Sequence, residues 1–248
     1  MEVLGIDIGG SGIKGATVNT ATGELTAKRY KVATPEESTP ENVARVVREV
    51  AEHFSWSGPI GCTFPAVVQQ GIVYTAANVD PRWIGAHGQE LMQEATGSPV
   101  ILLNDADAAG IAEMTFGVGQ GRAGTVLMLT FGTGIGSSIF IDGHLFPNTE
   151  LGHLLIRGKD AEHRASSRVR EEKNLSWKRW TRHVNEYLAY VESLLWPDLI
   201  IFGGGISRDH KEFFHLLHTR AELKPAEFFN EAGIVGAAMA AAIGRAPE

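Results

Sequence analysis

An α/β protein built as two similar lobes facing a cleft is predicted by three features of the sequence. The chain opens with a strand, a glycine-rich turn, a strand, a turn and a strand, and it opens that way again near residue 125. Helical periodicity and short, wholly apolar strand runs fill the stretches between. Two copies of one supersecondary unit in a chain of 248 residues suggest two lobes, divided here into residues 1–109 and 110–248, with the terminal helix free to return to the first lobe.

Residues 3–8 form the first predicted strand, Gly9-Gly10-Ser11-Gly12 the tight turn, 13–19 the second strand and 24–32 the third. Gly10 to Gly15 matches G-x-G-x-x-G, as does Gly119 to Gly124, but a dinucleotide site needs a helix next and strands follow both. Both matches are therefore rejected, and no P-loop pattern is present. Residues 40–54 set Val43, Val46, Val47 and Val50 on one helical face, with Pro40 in the first turn. Strands at 59–64 and 71–74, a loop with Asn78, Pro81 and Trp83, and a helix at 89–96 lead to the apolar run 100–103. Beyond it come a helix at 108–117, strands at 125–130 and 138–141, and a long amphipathic helix at 175–196. A strand at 198–202, a helix at 209–217 and an alanine-rich helix at 233–243, suited to close packing on a sheet, complete the chain.

Composition excludes several classes. The formal charge of −7 argues against nucleic acid as a partner, although residues 157–182 hold nine basic against four acidic side chains. That window is either a solvated helix face or a site for a polyanion. The single Cys62 allows no intrachain disulfide and no thiolate zinc cluster, so no structural zinc is expected. No apolar run is long enough to cross a membrane and the N-terminus enters a strand at once, so a cytoplasmic protein is expected.

The chemistry concentrates where apolar strands run into polar residues. Residues 100–103 deliver Asn104-Asp105 to a strand's carboxyl end, where ligands of α/β proteins bind. Asp105 is suited to accept a hydroxyl proton and Asn104 to fix that hydroxyl, while both are also good helix N-caps. The matching turns at Gly9-Gly10-Ser11-Gly12 and at Gly132-Thr133-Gly134-Ile135-Gly136 leave backbone N–H groups open to an anion. Asp7 would repel phosphate directly, so its expected partner is the magnesium that phosphate brings, held through water. Glu150, His153 and Glu162 are suited to sugar hydroxyls.

Together these residues resemble the ROK family of sugar kinases and repressors, within the actin and hexokinase type of ATPase fold (ribonuclease H-like). Asp7-Ile8-Gly9-Gly10-Ser11-Gly12-Ile13-Lys14 is similar to the family's first phosphate motif, and the run from Leu129 through Thr130, Gly132, Thr133 and Gly134 to Gly136 to its second. Gly203-Gly204-Gly205 resembles the nucleotide-side motif, Asn104-Asp105 the sugar-binding and catalytic pair, and Glu150-Leu151-Gly152-His153 the family's E-x-G-H, with Glu162 as a third sugar contact. The cysteine-rich zinc loop of many members is missing. Its loss, the short chain, Thr63-Phe64-Pro65-Ala66, the basic window and Trp196-Pro197-Asp198-Leu199 resemble the polyphosphate glucokinase branch.

The resemblance implies phosphoryl transfer from inorganic polyphosphate, ATP or both to the 6-hydroxyl of glucose, with mannose the alternative sugar, magnesium as cofactor and a homodimer as the assembly. Asp105 would be the general base, and Arg164, Arg168, Lys178, Arg179 and Arg182 would guide the polyanion. The rival expectations are a strictly ATP-dependent hexose kinase, a non-catalytic sugar-binding regulator and an actin-like assembly protein.

Overall fold

The computed structural model describes residues 1–77 and 79–244, so Asn78 of the predicted loop lies outside the described residues. Two compact units divide the chain, one of residues 1–112 and 231–248, the other of residues 113–230.

In the first unit, β1 (Glu2–Gly9) and β2 (Gly12–Asn19) pair antiparallel around the two-residue turn Gly10-Ser11, in a register that puts Asp7 opposite Lys14. The third strand, β3 (Tyr30–Val32), is shorter than expected. Ahead of it the chain makes only an isolated bridge, Val18 to Leu25. Helix α1 (Pro40–His53) starts at Thr39, whose side chain accepts the Asn42 N–H, and it buries the valine face read from the sequence. Then come β4 (Ile60–Phe64), the small hairpin of β5 (Val68–Gln69) and β6 (Ile72–Val73), α2 (Gly88–Thr96) and β7 (Val100–Asn104). The main sheet has the order β3-β2-β1-β4-β7, with β4 and β7 parallel to β1. Parallel strands need a covered crossover, and β4 is buried at every position. Helix α3 (Asp105–Phe116) begins at the residue after β7, three positions earlier than expected, and leads into the second unit.

The second unit repeats the plan. Strands β8 (Thr125–Phe131) and β9 (Ile135–Ile141) pair antiparallel around Gly132-Thr133-Gly134, so β9 starts before the expected residue 138. Strand β10 (His144–Thr149) adds the edge, followed by the two-residue hairpin of β11 (Leu155–Ile156) and β12 (Lys159–Asp160). Ser166 ends α4 (Glu162–Ala165) and caps α5 (Ser167–Glu172), its side chain accepting the Val169 N–H. Helix α6 (Trp177–Leu195) stops at Trp196, which takes a left-handed conformation. Strand β13 (Leu199–Gly203) is buried throughout. The helix expected at 209–217 is broken into 3-10 turns around the short α7 (His210–Phe213). Strand β14 (Glu222–Pro225) then completes the order β10-β9-β8-β13-β14, again with three antiparallel strands followed by two parallel ones.

Packing places the turns. In the second unit Phe131, the last residue of β8, stacks on Phe202 of β13 with ring centroids 4.2 Å apart, and Trp180 and Tyr187 of α6 meet it edge-on. Each fully buried ring of this kind stabilises by about 1.5–3 kcal/mol, and together they hold the strand end from which the second glycine turn leaves. In the first unit α8 (Ala232–Ile243) lies directly on β1 and β4. A Cβ at Gly61 would come within 1.8 Å of the Ala237 carbonyl oxygen, and one at Gly5 within 2.0 Å of the Ile234 oxygen. Close backbone approach therefore explains the glycines under the helix and the alanines within it.

Candidate active site

At the carboxyl end of β1, Asp7 is held from two sides. Its Oδ1 accepts the hydroxyl of buried Thr63 at 2.9 Å, and its Oδ2 lies 3.4 Å from Nζ of Lys14. Thr63 is itself fixed by accepting the Ile8 N–H at 3.2 Å. Gly233, in the first turn of α8, leaves room there, since a Cβ would sit 3.0 Å from Asp7 Oδ1. Gly10 has nothing within 4 Å of a would-be Cβ, and Thr34 ties the turn down by donating its hydroxyl to the Gly9 carbonyl at 2.5 Å. A single carboxylate beside an open glycine turn suits a magnesium ion that arrives with phosphate oxygens and keeps its waters. No group of three or more metal-ligating side chains converges among the described residues.

Also in the first unit, Asn104 and Asp105 divide their work. Asn104 Oδ1 accepts the N–H groups of Ala106 and Asp107 at 2.8 and 3.1 Å, and its Nδ2 donates to the Ala66 carbonyl at 3.0 Å. It is thus the cap of α3, with one amide proton left for a ligand. Asp105 is exposed in the helix's first turn, where its Oδ1 accepts the Ala106 N–H at 2.9 Å.

In the second unit the expected sugar contacts come together. His153 Nδ1 is 3.0 Å from Asp160 Oδ2, and its Nε2 is 3.6 Å from Glu150 Oε2. Burial opposes protonation of this imidazole, but the Asp160 hydrogen bond and the charges of Glu162, Glu150 and Asp160 outweigh it and raise its pKa. Burial, reinforced by Glu162 and opposed by His153, raises that of Glu150. Glu162 is buried and accepts the Ile135 N–H on Oε2 at 3.3 Å.

The second glycine turn is shaped by its neighbours. Gly132 N–H donates to the Gly134 carbonyl at 3.0 Å, and the Arg168 N–H donates to the Gly132 carbonyl at 3.1 Å. Thr133 is exposed at the tip, while Thr130 and Gly136 sit opposite each other in the β8–β9 ladder. Gly204 has φ +86°, and a Cβ there would lie 2.3 Å from the Phe131 carbonyl oxygen. Gly203 faces Met128 and Gly205 is open, so within this motif Gly204 supports the second turn directly.

The basic window proves heterogeneous. Arg164 and Arg157 both bind Glu186, at 2.8 and 2.5 Å, and Arg168 lies 3.9 Å from Glu172. Lys178, Arg179 and Arg182 are exposed on the outer face of α6 with no ion pair among the described residues. Sequence reasoning missed Asp160 and Thr63 as site residues. Asp160 is paired with Leu155 across the β11–β12 hairpin, a contact with no local signature; Thr63 was legible only as part of Thr63-Phe64-Pro65-Ala66.

A repeated five-stranded sheet with a glycine turn at the end of each first hairpin is the architecture of the actin and hexokinase type, and solved structures of that class match this one over 98% of the chain. A family model for the ROK family matches residues 3–167, and the chain belongs to that family. It is 50% identical over 238 residues to the polyphosphate glucokinase of Mycobacterium tuberculosis (strain ATCC 25618 / H37Rv), an alignment covering 96% of this chain and 90% of that protein. The polyphosphate glucokinase of Mycobacterium leprae (strain TN) is 48% identical, with 96% and 74% covered. The inorganic polyphosphate/ATP-glucomannokinase from Arthrobacter sp. strain KM superposes with a TM-score of 0.95 at 46% identity, covering 98% and 99% of the two chains. A ROK family glucokinase from Streptomyces griseus, solved with glucose and AMPPNP, shares the fold with a TM-score of 0.84 at 24% identity, over 98% of this chain and all of that one.

Proposed function

We propose that this protein is a polyphosphate-dependent glucokinase that transfers a phosphoryl group to the 6-hydroxyl of glucose and also accepts ATP. The observation that carries the proposal is near-full-length similarity at 50% identity to a polyphosphate glucokinase. Asp105 accepts the hydroxyl proton, and Asn104, Glu150, His153 and Glu162 orient the sugar. Phosphoryl transfer asks mainly for alignment and charge neutralisation. The backbone N–H groups of the two glycine turns and Lys14 provide these on the protein side. Asp7 is the residue that would hold a magnesium ion, which would supply charge neutralisation at the donor oxygens. The acceptor range includes mannose, and the working assembly is a homodimer.

Of the five basic residues first considered, Lys178, Arg179 and Arg182 are the ones we assign to the polymer, because Arg164 is already paired with Glu186 and Arg168 lies 3.9 Å from Glu172. Reversing all three charges should raise the KM for long-chain polyphosphate at least about tenfold, given three lost phosphate contacts, and leave the KM for ATP within about twofold. Equal effects on both donors would return this row to ordinary surface charge.

A further inference from the structure

Ile135 is gripped on both sides of its backbone. Its N–H donates to Glu162 Oε2 at 3.3 Å, and its carbonyl oxygen would lie 2.2 Å from a Cβ at Gly152, the glycine of Glu150-Leu151-Gly152-His153. The Leu151 N–H donates to Ser137 Oγ at 3.0 Å, two residues further along β9. The segment that orients the acceptor is thus built onto the strand that leaves the donor turn. Gly134 completes the arrangement: a Cβ there would be 2.3 Å from Glu162 Oε2, although its φ is unexceptional for any residue. Glycine at this position leaves room for a carboxylate, and a methyl there would displace it. The Tyr187 hydroxyl is buried without a hydrogen-bond partner among the described residues. Burial raises the pKa of this phenol, and the Glu162 charge raises it further.

We propose that Glu162 is a positioning residue for the donor turn as well as a contact for the sugar, so that one carboxylate links acceptor binding to the shape of the Phe131–Gly136 segment. The proposal rests on the sugar-kinase assignment above. Sugar hydroxyls that orient the Glu162 carboxylate also fix the acceptor of the Ile135 N–H. The turn therefore reaches its donor-binding form when the sugar is present, which limits transfer of the phosphoryl group to water.

The test is glucose affinity by calorimetry with no donor present, for the unaltered protein, Gly134→Ala, Glu162→Asp and the double variant. The Gly134→Ala methyl, on a residue assigned to the donor, should push the carboxylate aside and weaken glucose binding by at least about tenfold, the size of one charged hydrogen bond. The shorter side chain of Glu162→Asp withdraws from Gly134, so on that background the same methyl should cost less than about threefold. Glucose affinity within about twofold in Gly134→Ala, or the same loss on both backgrounds, overturns the coupling. Amide exchange at Ile135 in the unaltered protein gives an answer even if the variants fail to fold. Glucose should slow it at least about fivefold by stabilising the acceptor of that N–H, and an unchanged rate overturns the proposal. No glucose binding by the unaltered protein would instead defeat the sugar-kinase assignment itself.

Discussion

Asp160 holds His153 by Nδ1 at 3.0 Å, and this contact orients the imidazole and helps to raise its pKa. With Nδ1 bound to a carboxylate, Nε2 is the nitrogen turned toward Glu150. Replacing Asp160 by Asn removes a charge and a hydrogen bond to the protonated ring, so the His153 pKa should fall. A group whose folded pKa is raised contributes stability that is complete below its unfolded value, here about 6.5, and lost as pH rises through the folded value. The melting-temperature difference between the unaltered protein and Asp160→Asn should therefore be larger at pH 6 than at pH 9. NMR titration of His153 gives the same answer directly, and an unchanged midpoint in the variant would remove Asp160 from this role.

Gly204→Ala should be among the more damaging single substitutions in the second unit. Its backbone, at φ +86° and ψ 173°, lies in a region open essentially to glycine alone, which costs a non-glycine residue about 1–3 kcal/mol. The added methyl also meets the Phe131 backbone at the start of the second turn. Thermal unfolding should show the loss, and donor KM should rise with it. Gly205→Ala, where a Cβ meets nothing within 4 Å, is the matched control and should unfold within a degree or two of the unaltered protein, as surface changes usually do.

Asp105→Asn preserves the size and exposure of the side chain but removes its basicity. Turnover with either donor should fall at least on the order of a hundredfold if Asp105 is the proton acceptor, with glucose affinity changed far less. A folded variant with near-normal turnover would leave Asp105 as no more than the first residue of α3.

Much of this architecture was legible because glycine turns and apolar runs are local signals. The hairpins around Gly10-Ser11 and Gly132-Thr133-Gly134, the valine face of α1 and the small-residue helix α8 all follow from a few neighbouring residues. Asn104 proved to be the cap that its residue type favours, while Asp105 beside it is exposed in the first turn of α3. Strand β14 was not legible: Glu-Leu-Lys-Pro shows no clean alternation and ends in proline, which a sheet accepts at its edge. The break at 209–217 follows from tertiary packing, since Phe213 is buried against Trp177 and Trp180 while Phe214 turns to Phe202 and His210. The pairing of Arg164 with Glu186 joins residues 22 positions apart, and no count of charges along the window could have revealed it.

Glucose 6-phosphate formation with magnesium and purified long-chain polyphosphate, beside an otherwise identical reaction with ATP, tests the assignment most directly. We expect turnover with both donors, a kcat/KM for polyphosphate at least equal to that for ATP, and loss of both in Asp105→Asn. Turnover with ATP alone would contradict the polyphosphate assignment, and no product with either donor would contradict the kinase assignment altogether.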